Sequence, residues 1–292
     1  MFASELNYFY LRKLAKLIGK DYDLTAKLYS YAVLSTASYT LGNFFCPACQ
    51  GGEFSPFQPS MNLLTALFGT SIGKKVVMAI TGVVLIGFVT GHLVGNMQIF
   101  APPEKINHYA HFLESLGSGL WLIRGFLLLT VVLHIWTAVV LTLEDRAARP
   151  EKYGANNTIQ ASYASRTMRW SGFIVLAFLL FHLAHFTARV THPEFNDMMA
   201  PLSDGTMVRD VYSMMVLGFS NPLVTGFYIF SIGLLSLHLS HGISSLFQSL
   251  GLRTEAWGWF LEKLALIFAW VYFLGNAAIP LYCMFVLKDK VL

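Results

Sequence analysis

Residues 78–92 read MAITGVVLIGFVTGH, and residues 168–182 read MRWSGFIVLAFLLFH. Each ends in a histidine, His92 or His182, carried deep into a charge-free apolar run: Val76–Phe100 for the first and Trp170–Ala188 for the second. Three more such runs follow the same logic, Gly125–Leu143, Pro222–Leu250 and Leu264–Leu287. Crossing the hydrocarbon core of a bilayer takes ~20 residues. The chain is therefore expected to be an all-α membrane protein with five spans.

Composition agrees. Of 292 residues, 55% are hydrophobic and only 12% charged, where a soluble domain carries about 25% charged residues. What remains outside the runs is too little for a soluble-type domain. Basic residues concentrate in the second connection, with Arg146, Arg149, Lys152, Arg166 and Arg169, and Lys74 and Lys75 precede the first span. The positive-inside rule then puts the N-terminal side of the bundle and the second and fourth connections in the cytoplasm. Lys288 and Lys290 run against this bias and are outvoted. The net charge of +4 belongs to these loops; it does not describe a nucleic-acid surface.

Aligned on their histidines at an offset of 90 residues, the two opening stretches also match at Met78 and Met168, Gly82 and Gly172, and Phe88 and Phe178. Internal repeats of this kind are known among membrane bundles. Spans two and four bring their own histidines, His134 and His238, each after a leucine. A titratable side chain at membrane depth is costly and is read first as functional. Imidazole is the usual axial ligand of haem iron, so four histidines on four spans suggest two bis-histidine haem sites.

Depth sorts them. His92 and His182 lie past the middle of spans that run outward, and His134 and His238 past the middle of spans that run inward. Each is about four residues from the midplane, roughly 6 Å at the α-helical rise, which offsets the two sites by about 12 Å. The plainer alternative, packing histidines bonded across helices, is natural for one such residue. Four at paired depths argue against it. No carboxylate or cysteine lies at matching depth for a non-haem metal site. Spans three and four each offer a second histidine at i+3, His185 and His241; the repeat selects His182 and leaves these two as hydrogen-bonding neighbours. Glycines 82, 87, 91, 125, 172, 226 and 233 give room for a flat macrocycle and are equally typical of membrane-helix packing.

Residues 1–60 differ in character. They open with a charged amphipathic stretch, continue through an uncharged but polar one at Leu28–Phe45, and include CPAC at Cys46 and Cys49. Gln50 follows where covalent haem attachment would need histidine, and no second ligand pair for zinc is near. Met61 opens a fresh segment, MNLLTALFGTSIGKK. Two parts are expected: an N-terminal extension over 1–60 without an assigned role, and a di-haem bundle over 61–292.

These residues resemble a known family, the cytochrome b membrane subunit of succinate dehydrogenase and fumarate reductase, in its single-polypeptide, five-helix, di-haem form. The resemblance runs from Met61 to the C-terminus. It rests on SIGKK, on GHLVGN at His92, on Leu133-His134, on the Gly172-to-His182 segment, and on GFYIFSIGLLSLHLSHG around His238. It implies two haem b groups held by His92 with His182 and His134 with His238, quinone (menaquinone) as substrate, and a place in the cell inner (plasma) membrane. It also implies flavoprotein and iron–sulfur partner subunits on the cytoplasmic face. The chain itself has neither a GxGxxG fingerprint nor a cysteine series for a cluster, so dicarboxylate chemistry would fall to those partners.

After span one comes NHYAHFLESLGSG, whose AHF-x-[DE]-S-L pattern recurs in that family. There the acidic residue at the place of Glu114 is tied to the quinone site, and a carboxylate at the membrane edge can relay the protons quinone reduction consumes. His108 and His111 are weaker candidates for that site. A solvated loop glutamate is the plain alternative. Ser236 stands where some relatives carry a carboxylate two residues before the histidine, which speaks against their transmembrane proton route. Arg124, Arg166, Arg169 and Arg189 are candidate partners for haem propionates, or simply membrane-edge anchors. Two other functions stay open: a stand-alone transmembrane di-haem electron carrier, and a haem-free anchor or transporter whose histidines relay protons.

Overall fold

A computed structural model describes residues 62–148 and 162–291. The extension over 1–60, with Cys46 and Cys49, and the loop around Arg149 and Lys152 lie outside the described residues.

Helix starts are fixed by side-chain caps, which satisfy amide groups that a first turn leaves unpaired. Asn62 accepts from the Thr65 amide at 2.8 Å and opens α1, Leu63–Gly69. Thr70 accepts from the Gly73 amide at 2.9 Å and opens α2, Ser71–Asn96, which runs on through a 3-10 turn to Phe100. The two helices meet at Gly73, where an added Cβ would lie 2.0 Å from the Ala66 carbonyl oxygen. Only glycine lets α1 fold back there.

α3, Pro103–Ser115, is followed by α4, Ser118–Ala147. α5, Tyr163–His182, is capped by Ser162 and continues as a π-helical turn over Leu183–Thr187. A short antiparallel hairpin, β1 Met199–Pro201 with β2 Met207–Arg209, leads into α6, Val211–Gly218. Asn221 and Pro222 start α7, Pro222–Ser249, and Thr254 caps α8, Glu255–Tyr282. Pro280 removes a backbone donor inside α8, and a second π turn, Cys283–Leu287, follows before α9, Lys288–Val291.

Among the described residues, five helical stretches are long and apolar enough to cross a membrane: Ser71–Phe100, Ser118–Ala147, Tyr163–Thr187, Pro222–Ser249 and Glu255–Leu287. This is a multi-pass helical bundle. Four of the helices start before the charge-free runs do, and α4 also outruns its run at the C-terminal end. Charge does not end a helix, whereas caps and breakers do. Thus Lys74, Glu144, Arg166 and Lys263 all sit on helix.

The bundle is apolar outside as well as inside. Leu122, Leu128 and Trp170 are 78%, 64% and 73% exposed, a surface suited to lipid and not to water. Arg124 lies over the Trp121 ring and Lys263 over Trp259, at 5.0 and 4.4 Å from the centroids. Such amphipathic rings belong at helix ends. Packing is uneven. α2 lies along α4 and along α7, and α7 lies along α5 and α8. The apolar core follows this spine, with Leu93, Tyr228, Ile232, Leu239, Tyr272 and Ile279.

A cap closes the end where α2 finishes. The Ser203 amide donates to Glu104 Oε1 at 2.9 Å, Asn107 donates to Asp210 at 3.0 Å, and the Tyr212 amide donates to Asn107 at 2.9 Å. Hydrogen bonds from Ser203 hold the Glu104 carboxyl below its ordinary range, and those from Thr206 do the same for Asp204. Both contacts favour the folded cap above the usual carboxylate range and fade as pH falls through the lowered values.

Candidate functional site

The four span histidines meet in two pairs. His92 on α2 faces His182 on α5, with ring centroids 5.6 Å apart and planes nearly perpendicular at 88°. His134 on α4 faces His238 on α7, at 6.4 Å and 58°. In both cases the rings meet across helices whose backbones are not closely packed along their length, since α2 with α5 and α4 with α7 are absent from the tight helix pairs. The histidines, not the backbones, bridge those gaps.

The pairs are stacked along the bundle. Thr81 Oγ1 lies 3.0 Å from His134 Nδ1, and an added Cβ at Gly82 would lie 3.7 Å from the same ring. His134 thus sits level with residues 81–82 of α2, eleven residues before His92. At the helical rise that is about 16 Å, somewhat more than the 12 Å expected from depth alone.

The repeat has a counterpart in space. Phe88 stacks on His92 with ring centroids 5.6 Å apart, and Phe178 lies tilted against His182 at 5.9 Å, each one turn before its histidine. The glycines divide. Beside Gly87, Gly91, Gly125, Gly172 and Gly226 an added Cβ would meet nothing within 4 Å, while Gly82 is covered by His134 and Gly233 by Phe273.

What such pairs can hold follows from their donors. Among the described residues no group of three or more His, Cys, Asp or Glu is placed to take a metal ion. A metal ion between two facing imidazoles would need further ligands from a group that brings its own, as a porphyrin does. With metal–nitrogen bonds near 2 Å, imidazoles on opposite faces of one iron have centroids about 6 Å apart. The two observed separations bracket that value, so the residues fit the group.

One imidazole of each pair meets a side-chain hydroxyl at its Nδ1. Thr81 holds His134, and passes its own proton to the Val77 carbonyl at 2.8 Å. Tyr228 on α7 lies 3.4 Å from His182 Nδ1 and 3.0 Å from His185 Nδ1. His238 Nδ1 is buried without a partner among the described residues. Sequence reasoning passed over Thr81 and Tyr228. The available signal was a hydroxyl inside an apolar run, which usually bonds to something across the bundle.

His185 is almost fully buried, at 1% exposure, against Phe186, Phe195 and the backbone of Gly218. His241 is half-buried on α7. Neither joins the two facing pairs.

Glu114 is not in a loop. It occupies the last turn of α3, half-exposed, where Arg209 Nε of β2 donates to its Oε1 at 3.1 Å. Arg209 Nη1 is buried and has no partner among the described residues. Burial, then Arg209, lowers the Arg189 guanidinium from its ordinary value; Arg124 acts the same way and Glu114 opposes. One carboxylate thus shares this edge with three arginines. Arg189 itself adopts a left-handed backbone, φ 55°, and donates to Asn196 at 2.7 Å, which turns the chain away from α5. His108 and His111 are exposed on α3.

Comparison with protein-family models, curated proteins and solved structures yielded no match.

Proposed function

We propose that the chain is the membrane-anchor cytochrome b subunit of a succinate:quinone oxidoreductase, moving electrons between dehydrogenase subunits and membrane quinone. The observation that carries the reading is the pair of facing histidine couples, His92 with His182 and His134 with His238, stacked along one bundle. Each couple would hold one haem b, which supplies one-electron redox chemistry within the membrane.

The chain's own residues do the rest. Thr81 and Tyr228 orient one imidazole of each couple. The spine of α2 on α7 keeps the couples at fixed spacing. Glu114, held by Arg209 at the edge beyond His92, is a carboxylate that can relay the protons quinone reduction consumes. The sequence has neither a GxGxxG fingerprint nor a cysteine series for a cluster, so the reading assigns succinate oxidation to flavoprotein and iron–sulfur partners on the cytoplasmic face. Running in reverse, the same assembly is a fumarate reductase. A plasma-membrane location accompanies this reading.

Mild detergent purification of the native complex tests it. A reduced-minus-oxidised spectrum with two b-type haems per chain, and co-eluting flavin and iron–sulfur subunits, is the expected result. Two haems without those subunits would mean a stand-alone electron carrier. Absence of haem would leave an anchor or a transporter with proton-relaying histidines.

Sidedness is a separate prediction. Reporter fusions in the connection around Arg149 are expected to read cytoplasmic, and fusions near Asp204 external. The opposite reading would turn the bundle over and remove the docking face for the dehydrogenase.

A further inference from the structure

Among the described residues, His182 differs from the other three facing histidines in lying against a tyrosine that also reaches a second imidazole. Its Nδ1 approaches Tyr228 Oη, at 3.4 Å, and the same oxygen is 3.0 Å from His185 Nδ1. A phenol has one proton to give and lone pairs to accept with. If Nε2 of His182 faces the cofactor, its Nδ1 carries the proton and donates to Tyr228. The tyrosine then donates onward to His185, whose Nδ1 must be bare.

That assignment leaves the His185 proton on Nε2, and Nε2 is a buried nitrogen without a partner among the described residues. The ring has no freedom to improve this. It is 1% exposed, lies 4.1 Å from Phe186 by ring centroid, and its Nε2 would be 3.1 Å from any Cβ placed on Gly218. A buried nitrogen left without a partner is costly. The compensating feature is the fixed orientation of Nδ1 toward Tyr228. His185 lies within the π-helical turn over Leu183–Thr187, three residues after His182, and such turns are frequent at functional sites.

We propose that Tyr228 and His185 are positioning residues that set the electron-donating strength of His182. This rests on the haem reading above. The partner of a ligand's free ring nitrogen fixes its tautomer and raises its basicity. A tyrosine that gives its own proton to an imidazole is a stronger acceptor than one that does not, because bonds in a chain polarise one another. A more basic His182 favours the oxidised iron and lowers the potential of the His92–His182 haem. At the other couple, Thr81 passes its proton to a backbone carbonyl and has no such second imidazole.

The test uses the purified complex with both haems. Midpoint potentials come from redox titration of the difference spectrum, and low-spin EPR signals report ligand orientation. The His92–His182 haem is identified as the one missing from His92→Ala protein. Tyr228→Phe is expected to raise the potential of that haem alone, with the reduced-to-oxidised ratio at fixed potential rising about tenfold, ~59 mV for a one-electron couple. Its EPR signal should shift with it.

His185→Leu, which removes the acceptor and keeps Tyr228, should shift the same haem in the same direction by less. His185→Asn retains an acceptor near the Nδ1 position and should restore the wild-type potential. Thr81→Val should move only the other haem. Two haems with unmoved potentials in Tyr228→Phe would overturn the proposal. If that variant loses a haem, an unmoved potential in His185→Leu overturns it instead. A wild-type complex without haem defeats the functional reading as a whole.

Discussion

Alanine at His134 or His238 is expected to reduce the haem content from two per chain to one, removing the haem of that couple; alanine at His92 or His182 removes the other. The size of the effect follows from the donor set. With no third His, Cys, Asp or Glu placed to join either couple around a metal ion among the described residues, no side chain stands ready to replace a lost imidazole. His185 is the nearest substitute in sequence, but its Nδ1 is bonded to Tyr228 and its Nε2 is packed against Gly218. His185→Ala and His241→Ala are therefore expected to keep both haems. Pyridine haemochrome content and the difference spectrum measure this. Loss of a haem in His185→Ala, with both retained in His182→Ala, would show that the wrong ring had been chosen.

Glu114→Gln should leave haem content and succinate oxidation with an artificial dye untouched, and reduce quinone-linked turnover about a hundredfold, a common cost of losing a general acid–base group. The structure makes this substitution informative. Glutamine keeps an oxygen that can accept from Arg209 Nε, so the tie between α3 and β2 survives. Only the proton-accepting charge is lost. Had Glu114 merely fastened the cap, Glu114→Gln would run at the wild-type rate and Arg209→Gln would be the damaging change. Quinone reductase assays on the two variants separate these roles.

The spans were readable because a membrane helix is announced by an uninterrupted apolar run, and five such runs are in the sequence. Their starts were not, because Thr70, Ser162 and Thr254 begin helices by capping, several residues ahead of the first position of the charge-free runs. Histidine pairing was accessible for a similar reason: on a straight helix, position in sequence is depth, so rings at equal depth can be matched without knowing the packing. Azimuth has no such shortcut. Thr81 and Tyr228 sit at suitable depths among many apolar residues, and only the packing of α2 on α4 and of α5 on α7 turns them toward His134 and His182. The cap was the least legible part. Its contacts join residues about a hundred positions apart, Glu104 to Ser203 and Asn107 to Asp210, through short segments with weak patterns of their own.

Lys74 is almost entirely buried and pairs with Glu144 at the end where α2 begins and α4 ends; Ser71 also donates to that carboxylate, at 3.2 Å. A buried cation without a partner is expensive, and a partner relieves much of that cost. The two helices that leave the ribosome first among the five spans thus form a hairpin tied by the chain at one end and by charge at the other. They can settle in the lipid as a unit, without waiting for the rest of the bundle. Neither histidine couple can be completed at that stage, since His182 and His238 are synthesised later, on α5 and α7. The order of synthesis therefore separates insertion from site formation: the first hairpin makes a stable foothold, and the redox centres close only when the second half of the chain arrives.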